Sequence, residues 1–596
     1  CDIIKMVIIL NLHAIWHKSH SEYSYHIDAE TIHLLLRTAK DDIKKVTLLY
    51  GDPFHWIRDK NNKRFQWDMK ISLMELKYRD ELFDYFFAEV KVPSKRIRYG
   101  FLVEDINGNK IIYHSKGFSE VSKVEEFTNL NAFFNYPYLH QEDLNNTPSW
   151  VKDTIWYQIF PDRFCNIGNQ SDYNWNNTDV KNNEIYGGNL KGITKKLPYI
   201  KSVGFNGIYL TPIFKARTAH KYDTVDYFQI DPSFGTNEDF KELVTEAHKL
   251  GIKVMLDGVF NHAGFYHPFF QDVIKNGPKS KYADAFVIKK WPAVDFKYDD
   301  LKIFASSQRD INYETFATTP YMPKWNFTSE ITQNYLLGVV KYWIDEYNID
   351  AWRLDVSNEI SFEFLRKIKK VARECNPETY ILGENWDQAL PWLGGDQMDA
   401  VMNYFLTNII WDFIDLKITN LEFKNRLTHY LVGTPKTIIN SQYNLISSHD
   451  TERIKSRVDN DMRRVKIAHI LLLLSHGTPS VYYGDEIGLE GNQDPDNRRP
   501  MIWDESKWDI DFLNFIKKLI QIRQEYHNYN SEMKVLSHNE VLVLSTSDLV
   551  IVINNTNQNQ SLPIKDKYFD VLNNKLLDFN QIETIKPFEF YILKKE

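Results

Sequence analysis

Carboxylate and imidazole side chains follow short apolar runs at several points in the middle of the chain. The segments Asp257–His262 and His449–Asp450 each end such a run, and so do the single carboxylates Asp355 and Glu384. Cleavage of an acetal needs two carboxyl groups, one to protonate the leaving oxygen and one to meet the oxocarbenium-like centre. Because burying several like charges together is costly, a purely structural role for the whole set is strained. The pattern therefore predicts a site that cleaves glycosidic bonds.

Arg353 precedes Asp355 by two residues. Since side chains alternate along a strand, both should point to the same face. A guanidinium in that position would orient the Asp355 carboxylate and favour its ionised form, as a nucleophile requires.

The residues between 153 and 508 alternate brief apolar runs with helical stretches, the pattern of a parallel (β/α)8 TIM barrel of the α/β class. Functional groups of such barrels gather at the carboxyl ends of the strands. No clean strand–helix unit occurs between about 262 and 326, which predicts an inserted domain after the third strand. The candidate strands are Ile155–Phe160, Gly207–Leu210, Ile252–Leu256, Ile349–Leu354, Tyr380–Leu382, Val401–Tyr404, Tyr443–Ile446 and Ser480–Tyr483.

Both ends of the chain have a different pattern. Residues 1–145 contain short alternating segments separated by turn signals such as Asn107-Gly108-Asn109, which predicts an N-terminal β-sandwich. We place the catalytic barrel at 146–508, with residues 262–326 inserted. Short strands after a helix at Phe512–Tyr526 predict a C-terminal antiparallel β-sandwich domain over 509–596.

Composition narrows the possible partners and compartments. The net charge of −8 and the lack of a basic stripe argue against nucleic acid as a partner. The longest apolar runs are far below the roughly 20 residues that span a bilayer, so we expect no membrane association. The three cysteines, Cys1, Cys165 and Cys375, have no metal-ligand spacing, which fits a reducing compartment and a cytoplasmic protein.

The sequence resembles the α-amylase superfamily of glycoside hydrolases. Its four signature segments occur in order as Asp257–His262, Trp352–Glu359, Gly383–Trp386 and Ser448–Asp450. The resemblance implies a retaining hydrolase of α-glucans. Asp355 would be the nucleophile, Glu384 the acid/base and Asp450 the third carboxylate. The substrate-binding residues implied by these segments and by Ala219–Asp223 are His262, Arg353, His449, His220 and Tyr222, whose ring would stack beneath the sugar.

Other segments resemble the neopullulanase, cyclomaltodextrinase and maltogenic amylase subfamily. They are Met322–Asn326, which contains Trp325, the residue Glu359, and Asp494–Arg499. The resemblance implies that Trp325, Glu359, Asp494 and Arg498 bind sugar. It also implies a homodimer formed through the N-terminal module. Cyclodextrins, pullulan and maltooligosaccharides would be the substrates, cleaved at α-1,4 bonds, with cleavage of α-1,6 bonds left open.

Two positions depart from the subfamily pattern. The acceptor-side Trp of the relatives corresponds to Leu365, and Phe362 lies one turn earlier. The calcium loop corresponds to Asn166, Gly168, Asp172, Gly187 and Asn189, a set with one carboxylate where relatives often supply more. Since calcium prefers several oxygen ligands including carboxylates, both a bound Ca²⁺ and a metal-free loop are compatible with this sequence. No organic cofactor is expected.

Three alternatives are weighed against this prediction. An oligo-1,6-glucosidase, a trehalose-forming isomerase or a general α-amylase would use the same machinery, but Met322–Asn326 and the long N-terminal module disfavour them. A non-catalytic scaffold or transporter subunit usually loses one of the three carboxylates, all of which are present. A pure carbohydrate-binding protein would work through its N-terminal module, and glucan binding by residues 1–145 alone would distinguish it.

Overall fold

The computed structural model describes residues 10–58, 65–121, 130–168, 171, 173–297, 311–526, 533–538 and 540–594. The chain divides into two compact units. The first comprises Cys1–Asn145 with Leu421–Ile439, and the second comprises Asn146–Asn420 with Asn440–Glu596. This division differs from the predicted domains in two respects. Residues 421–439 group with the N-terminal unit, and the C-terminal sheet groups with the barrel.

The N-terminal unit consists of two antiparallel sheets. The long strands Thr31–Ala39 and Phe83–Lys91 pair in one sheet, and Ile43–Gly51 and Ile97–Asp105 pair in the other. Alternate residues such as Leu34 bury against one shared apolar cluster, as a sandwich requires. The remaining described strands of this unit are Ser24–His26, Trp56–Arg58, Phe65–Trp67, Lys70–Leu73, Glu75–Arg79, Lys110–His114, Gly117–Glu120 and Phe134–Tyr136.

Eight parallel strands form the central sheet of the second unit. They are Trp156–Ile159, Gly207–Leu210, Lys253–Gly258, Ala351–Leu354, Tyr380–Gly383, Ala400–Val401, Tyr443–Asn444 and Thr478–Tyr482. Each pairs with its neighbour in chain order, the eighth pairs with both the first and the seventh, and a parallel bridge between Met402 and Tyr443 closes the ring. The predicted (β/α)8 barrel is confirmed.

Helices follow the barrel strands. The main ones are Leu190–Val203, Asn237–Lys249, Glu330–Tyr347, Phe362–Cys375, Tyr404–Ile414, Met462–Leu473 and Ile510–Tyr526. The second shows how sequence sets a boundary. Thr236 and Asp239 form a reciprocal capping box at its start, and Gly251 adopts φ +68° just past its end. Its apolar face, including Phe240 and Leu243, is buried.

The insertion after the third strand returns to its starting point. A bridge between His262 and Lys324 joins its two ends, and a second between Phe286 and Trp325 lies beside it. The helix Pro268–Asn276 packs in this segment. These bridges hold the segment that contains Lys324 and Trp325 beside His262, at the end of the third strand.

The C-terminal region forms antiparallel sheets. One contains Lys534–His538, Val541–Ser545, Leu549–Ile553, Lys567–Asp570, Lys575–Asp578 and Phe590–Lys594, and a small one pairs Gln560–Ser561 with Thr584–Ile585. The alternating residues of Val541–Ser545 and Leu549–Ile553 supply its core. Within the described ranges, no helix has both the length and the apolar character needed to cross a membrane.

Candidate active site

The three predicted catalytic carboxylates, Asp355, Glu384 and Asp450, lie at the carboxyl end of the barrel together with Asp257. Asp257 is in the third strand, Asp355 directly follows the fourth, Glu384 directly follows the fifth, and Asp450 lies in the loop after the seventh. This is the rim where loops of all strand–helix units meet. Asp257 is fully buried, whereas Asp355 and Glu384 keep a small exposed edge.

One guanidinium joins three of these carboxylates. Nη1 of Arg353 lies 2.8 Å from Oδ1 of Asp355 and 3.0 Å from Oδ1 of Asp257, and Nη2 lies 2.8 Å from Oε2 of Glu384. Arg353 is completely buried. The two predicted reacting acids therefore each lie within ion-pair distance of the same side chain.

Burial governs the protonation of these groups. Loss of solvent raises the pKa of the Asp355 carboxyl well above its usual range, and the neighbouring Glu384 and Asp257 add to this, while Arg353 opposes it. Desolvation also raises the pKa of Asp257 to about 6, again against Arg353. Arg353 lowers the pKa of Asp355, as predicted, but desolvation and the two neighbouring carboxylates outweigh this effect.

Glu384 is held by the turn that follows Asp355. Its Oε2 accepts the backbone N–H of Val356 at 3.0 Å, and its Oε1 accepts Nε1–H of Trp386 at 3.1 Å. Val356 adopts φ +46°, a strained conformation for a β-branched residue. Trp386 stacks on Tyr404 at 3.7 Å between ring centroids, which fixes the indole. The Glu384 side chain is thus oriented by the loop that carries Asp355.

Tyr222 connects the carboxylates to the seventh-strand loop. Its hydroxyl donates to Oδ2 of Asp257 at 3.0 Å and lies 2.5 Å from Nε2 of His449. The two rings are nearly parallel, with centroids 5.6 Å apart. His449 Nε2 is also 3.1 Å from Oδ2 of Asp450. Tyr222 is half-buried, so part of its side chain is accessible to solvent.

The other two predicted histidines flank Tyr222. His262 Nε2 lies 3.2 Å from the carbonyl oxygen of Tyr222, and His220 Nδ1 accepts the Tyr222 N–H at 3.1 Å. Desolvation lowers the pKa of each imidazole to about 3. Burial therefore favours the neutral form of both rings, and each ring contacts the backbone of Tyr222.

Arg498 and Asp494 extend the site beyond Asp450. Arg498 Nη2 lies 3.3 Å from Oδ1 of Asp450, its Nε donates to the carbonyl oxygen of His449, and Nη1 pairs with Asp494 at 2.9 Å. Desolvation raises the pKa of Asp494. Arg498 therefore contacts Asp450 directly, and Asp494 is joined to the site through Arg498.

The fifth segment contains one wrong prediction. Trp325 is completely buried, stacked on Phe286 at 4.5 Å and edge-on to His267, so its ring cannot contact a bound sugar. Its neighbour Lys324 reaches the rim instead. Lys324 Nζ lies 2.7 Å from Oε2 of the half-exposed Glu359 and 2.6 Å from Oδ1 of Asn261. Strand alternation explains the error, because adjacent residues point to opposite faces.

Two positions of the acceptor-side helix differ in exposure. Leu365, at the position of the relatives' Trp, is fully buried, whereas Phe362 is 44% exposed and lies edge-on to Trp392 at 5.5 Å. Phe362 is therefore the ring that this helix presents to solvent.

The predicted calcium loop is only partly described, since Asp172 lies outside the described residues. The side chain of Asn189 donates to the carbonyl of Ile167, and its oxygen accepts the N–H of Gly192 as a helix cap. Asn166 donates to the carbonyl of Tyr186. Gly168 and Gly187 take positive φ values. Four of the five predicted residues thus lie in one folded loop pair, and calcium binding stays a prediction.

Sequence reasoning missed several partners of the predicted residues. Gln158 contacts the His449 ring, Tyr209 donates to Asp257 at 2.6 Å, and Lys324 and Trp386 contact the rim. Trp386 lies in the segment Gly383–Trp386 and Lys324 lies in Met322–Asn326, so their place in these two segments could have identified them. The fully buried Gln158 and Tyr209 lie within apolar runs and carried none.

Comparisons with known proteins identify the family of this chain. The Alpha amylase, catalytic domain model matches residues 158–555, and the Alpha amylase, N-terminal ig-like domain model matches residues 10–140. Because the first match covers more than half of the chain, the protein belongs to the alpha-amylase family of glycoside hydrolases. The predicted resemblance, the fold class and the enzyme class are confirmed.

Individual relatives extend along nearly the whole chain. A cyclomaltodextrinase from Geobacillus thermopakistaniensis (strain MAS1) is 40% identical over 571 residues, 92% of this chain and 92% of that protein. An intracellular maltogenic amylase from Bacillus subtilis is 36% identical over 602 residues, 97% of this chain and 98% of that protein. A solved structure of a cyclomaltodextrinase has a TM-score of 0.88 at 36% identity and covers 98% of this chain and 100% of that chain.

Proposed function

We propose that this protein hydrolyses α-1,4-glucosidic bonds of cyclodextrins, pullulan and maltooligosaccharides, with retention at the anomeric carbon. The observation that carries the proposal is the Arg353 guanidinium, which holds Asp355 and Glu384 each at 2.8 Å on its two terminal nitrogens. Two carboxyl groups so placed can act on the two sides of one glycosidic bond. The names of the relatives support the substrate class.

The residues would divide the reaction as follows. A carboxylate oxygen of Asp355 bonds to the anomeric carbon while the glycosidic C–O bond breaks, and Glu384 gives its proton to the leaving oxygen. In the second half, Glu384 takes a proton from water as the water oxygen bonds to the anomeric carbon and the Asp355 ester bond breaks. Asp450, His449, Tyr222 and Arg498 would hold the sugar whose carbon reacts.

The proposal is tested by the substrates that the enzyme prefers. Hydrolysis of β-cyclodextrin, pullulan and soluble starch is compared at equal glucose-unit concentration, and the anomer of the first product is read by NMR. The proposal expects cyclodextrin to be cleaved faster than starch, with the α-anomer appearing first. A preference for starch with cyclodextrin untouched would contradict the substrate class. A first-formed β-anomer would contradict the mechanism.

We infer a homodimer formed through the N-terminal module. On that unit the edge strand Lys70–Leu73 exposes Ile71 and Leu73, and the nearby hairpin exposes Phe54 and Phe65, all at 65% or more. Clustered exposed apolar residues on an unpaired strand edge mark an association surface. Light scattering after gel filtration is expected to give twice the 70.6 kDa chain mass. Ile71→Lys should shift it to the monomer, whereas Leu576→Lys, an exposed control on the C-terminal sheet, should not.

We infer that the protein works in the cytoplasm. Cys165 and Cys375 are free thiols, and the relative from Bacillus subtilis is named as an intracellular enzyme. Cell fractionation of the native host tests this, and activity confined to the medium or to a membrane fraction would contradict it.

The calcium site also stays a proposal. Asn166, Gly168, Gly187 and Asn189, together with Asp172, would supply oxygen ligands. Calcium is a structural ligand in such a loop and would add to stability by binding the folded state. Thermal unfolding in EGTA is compared with unfolding in excess CaCl₂. A midpoint raised by calcium but not by magnesium supports the site, and identical midpoints contradict it.

A further inference from the structure

Gln158 lies beneath the active site, in the middle of the first barrel strand. It is fully buried, and its Nε2 lies 2.7 Å from Nδ1 of His449. His449 is also fully buried and faces Asp450 and Tyr222 with its other nitrogen. Burying an amide in a barrel core without hydrogen-bond partners is costly. The buried side chain of Gln158 is therefore expected to have a specific role.

The partners of Nε2 determine where the proton of the His449 ring must lie. Carboxylate oxygens accept hydrogen bonds, so the 3.1 Å contact of Nε2 of His449 with Oδ2 of Asp450 favours a hydrogen on that nitrogen. Tyr222 has a single hydroxyl hydrogen, and Asp257 takes it at 3.0 Å. The Tyr222 oxygen must then accept from His449 as well. Both neighbours therefore demand the Nε2–H tautomer.

The other ring nitrogen is consequently left as an acceptor. Desolvation and the nearby Arg498 and Arg353 lower the pKa of His449 well below its ordinary value, so the ring carries only one hydrogen. With that hydrogen on Nε2, Nδ1 is bare and needs a donor. The amide Nε2–H of Gln158 is that donor, and a carboxylate in its place could not serve.

We propose that Gln158 is a positioning residue that locks His449 in its Nε2–H tautomer, so that the only N–H of the ring points at Asp450, Tyr222 and the sugar between them. The proposal rests on the proposed hydrolytic function of this site. It makes the hydrogen bonds directional, from Gln158 through His449 and Tyr222 to Asp257, where Arg353 donates from the other side at 3.0 Å.

The Gln158 amide on Nδ1 and the Asp450 carboxylate on Nε2 favour the same tautomer of His449. A carboxylate on one ring nitrogen places the hydrogen on that side and stabilises the imidazolium. An amide donor on Nδ1 places the hydrogen on Nε2 and keeps the ring neutral. The groups that face His449 from its surroundings are Asp450, Tyr222, His220, Arg353, Glu384 and Arg498.

Two substitutions separate this role from packing. Gln158→Met keeps the shape but removes the donor, and we expect kcat/KM on β-cyclodextrin to fall about tenfold with an unchanged pH profile. Gln158→Glu replaces the donor by an acceptor. At low pH the imidazolium still carries Nε2–H, but at high pH the neutral ring moves its hydrogen to Nδ1. Activity should therefore fall by roughly a hundredfold as pH rises to 8, as expected for a wrong tautomer.

The new alkaline limb in Gln158→Glu is the decisive result, because a cavity or a packing fault would not create one. Equal losses in both variants without that limb would overturn the proposal, as would losses of less than about twofold. Thermal unfolding of both variants monitors the fold. Solid-state NMR of ¹⁵N-histidine-labelled wild type, with the signal assigned through His449→Asn, reads the tautomer without turnover. A protonated Nδ1 there would overturn the proposal even if Gln158→Glu failed to fold.

The outcome is distinguishable from failure of the proposed function. A wild-type enzyme that cleaves none of the glucans contradicts the hydrolytic proposal, while the NMR result still decides the tautomer. An active wild type with a protonated Nδ1 contradicts only the role of Gln158.

Discussion

Nη1 of Arg353 lies 2.8 Å from Oδ1 of Asp355, two residues further along the chain. The fourth barrel strand ends between them, so Arg353 points into the buried barrel mouth while Asp355 begins the loop at the rim. The pairing is a direct result of strand alternation. It fixes the carboxylate proposed as nucleophile without any contribution from distant loops.

Asp355→Asn is expected to reduce kcat on β-cyclodextrin by roughly a thousandfold or more, because an amide oxygen is a poor nucleophile. The variant should remain folded, since it removes an ionisable group from a crowded carboxylate cluster and keeps the shape. The measurement is initial-rate kinetics beside a thermal unfolding curve. Asp511→Asn, an exposed carboxamide control on the helix Ile510–Tyr526, should keep wild-type rates. Turnover within a few-fold of wild type would contradict the assignment of Asp355.

Glu384→Gln should discriminate between leaving groups. General acid catalysis contributes roughly 10²–10⁴-fold, and it is needed when the leaving group is a sugar hydroxyl. An activated aryl maltoside leaves without a proton, so its first cleavage step should be much less affected than cleavage of maltotriose. Rates with both substrates, measured on the same preparation, test this. Equal losses would argue that Glu384 acts on the fold or on binding instead.

The catalytic rim was predictable from sequence because its signals are local. Apolar runs predicted all eight barrel strands, and Asp355 and Glu384 stand one residue beyond the ends of their strands. The predicted and observed strand bounds differ most where the strands are short. The sixth strand was predicted at Val401–Tyr404, but the observed strand is Ala400–Val401 and a helix begins at Tyr404. The sixth strand is short because its closing contact is a single bridge at Met402.

The remaining features depend on tertiary contacts that no local pattern encodes. Trp325 and Lys324 are adjacent, and only the packing of the insertion decides that the indole is buried and the ammonium reaches Glu359. The burial that raises the pKa of Asp355, and the sharing of Arg353 among three carboxylates, likewise need the closed barrel. The grouping of Leu421–Ile439 with the N-terminal unit rests on contacts such as that of His429 with Asp80.

The fifth segment supplies a paired test of burial against function. Trp325→Ala should cost about 3–5 kcal/mol of stability, because it empties a core site among Phe286, His267 and Tyr227. Lys324→Met keeps the aliphatic stem and should change stability by less than about 1 kcal/mol, while KM for oligosaccharides rises. Chemical unfolding and steady-state kinetics on both variants check this. A raised KM with unchanged stability in a milder Trp325→Phe variant would restore Trp325 as a sugar contact.

A carboxyl group outside the reacting set makes stability depend on pH. Glu486 is fully buried after the eighth strand, and its Oε1 accepts the hydroxyls of Tyr157 at 2.7 Å and Tyr199 at 2.8 Å. Its Oε2 has no hydrogen-bond partner among the described residues. Desolvation raises the pKa of Glu486 to about 7, against the two tyrosine hydrogen bonds.

The sign of the effect follows from linkage. Between the ordinary glutamate pKa and pH 7, the unfolded chain is ionised at this position while the folded protein still holds the proton. Stability from this group is therefore complete below that window, falls as pH rises through it, and is constant above pH 7. The difference of about 2.5 pKa units between 4.5 and about 7 corresponds to roughly 3 kcal/mol.

Glu486→Gln should remove this dependence, because an amide keeps the acceptor oxygen for both tyrosines and cannot ionise. Relative to wild type, the variant should show little change at pH 4.5 and become more stable as pH rises to 8. Denaturant unfolding at several pH values measures the difference, with Glu505→Gln, an exposed control residue, run beside it. A constant offset between Glu486→Gln and wild type across that range would mean that Glu486 is already ionised in the folded protein.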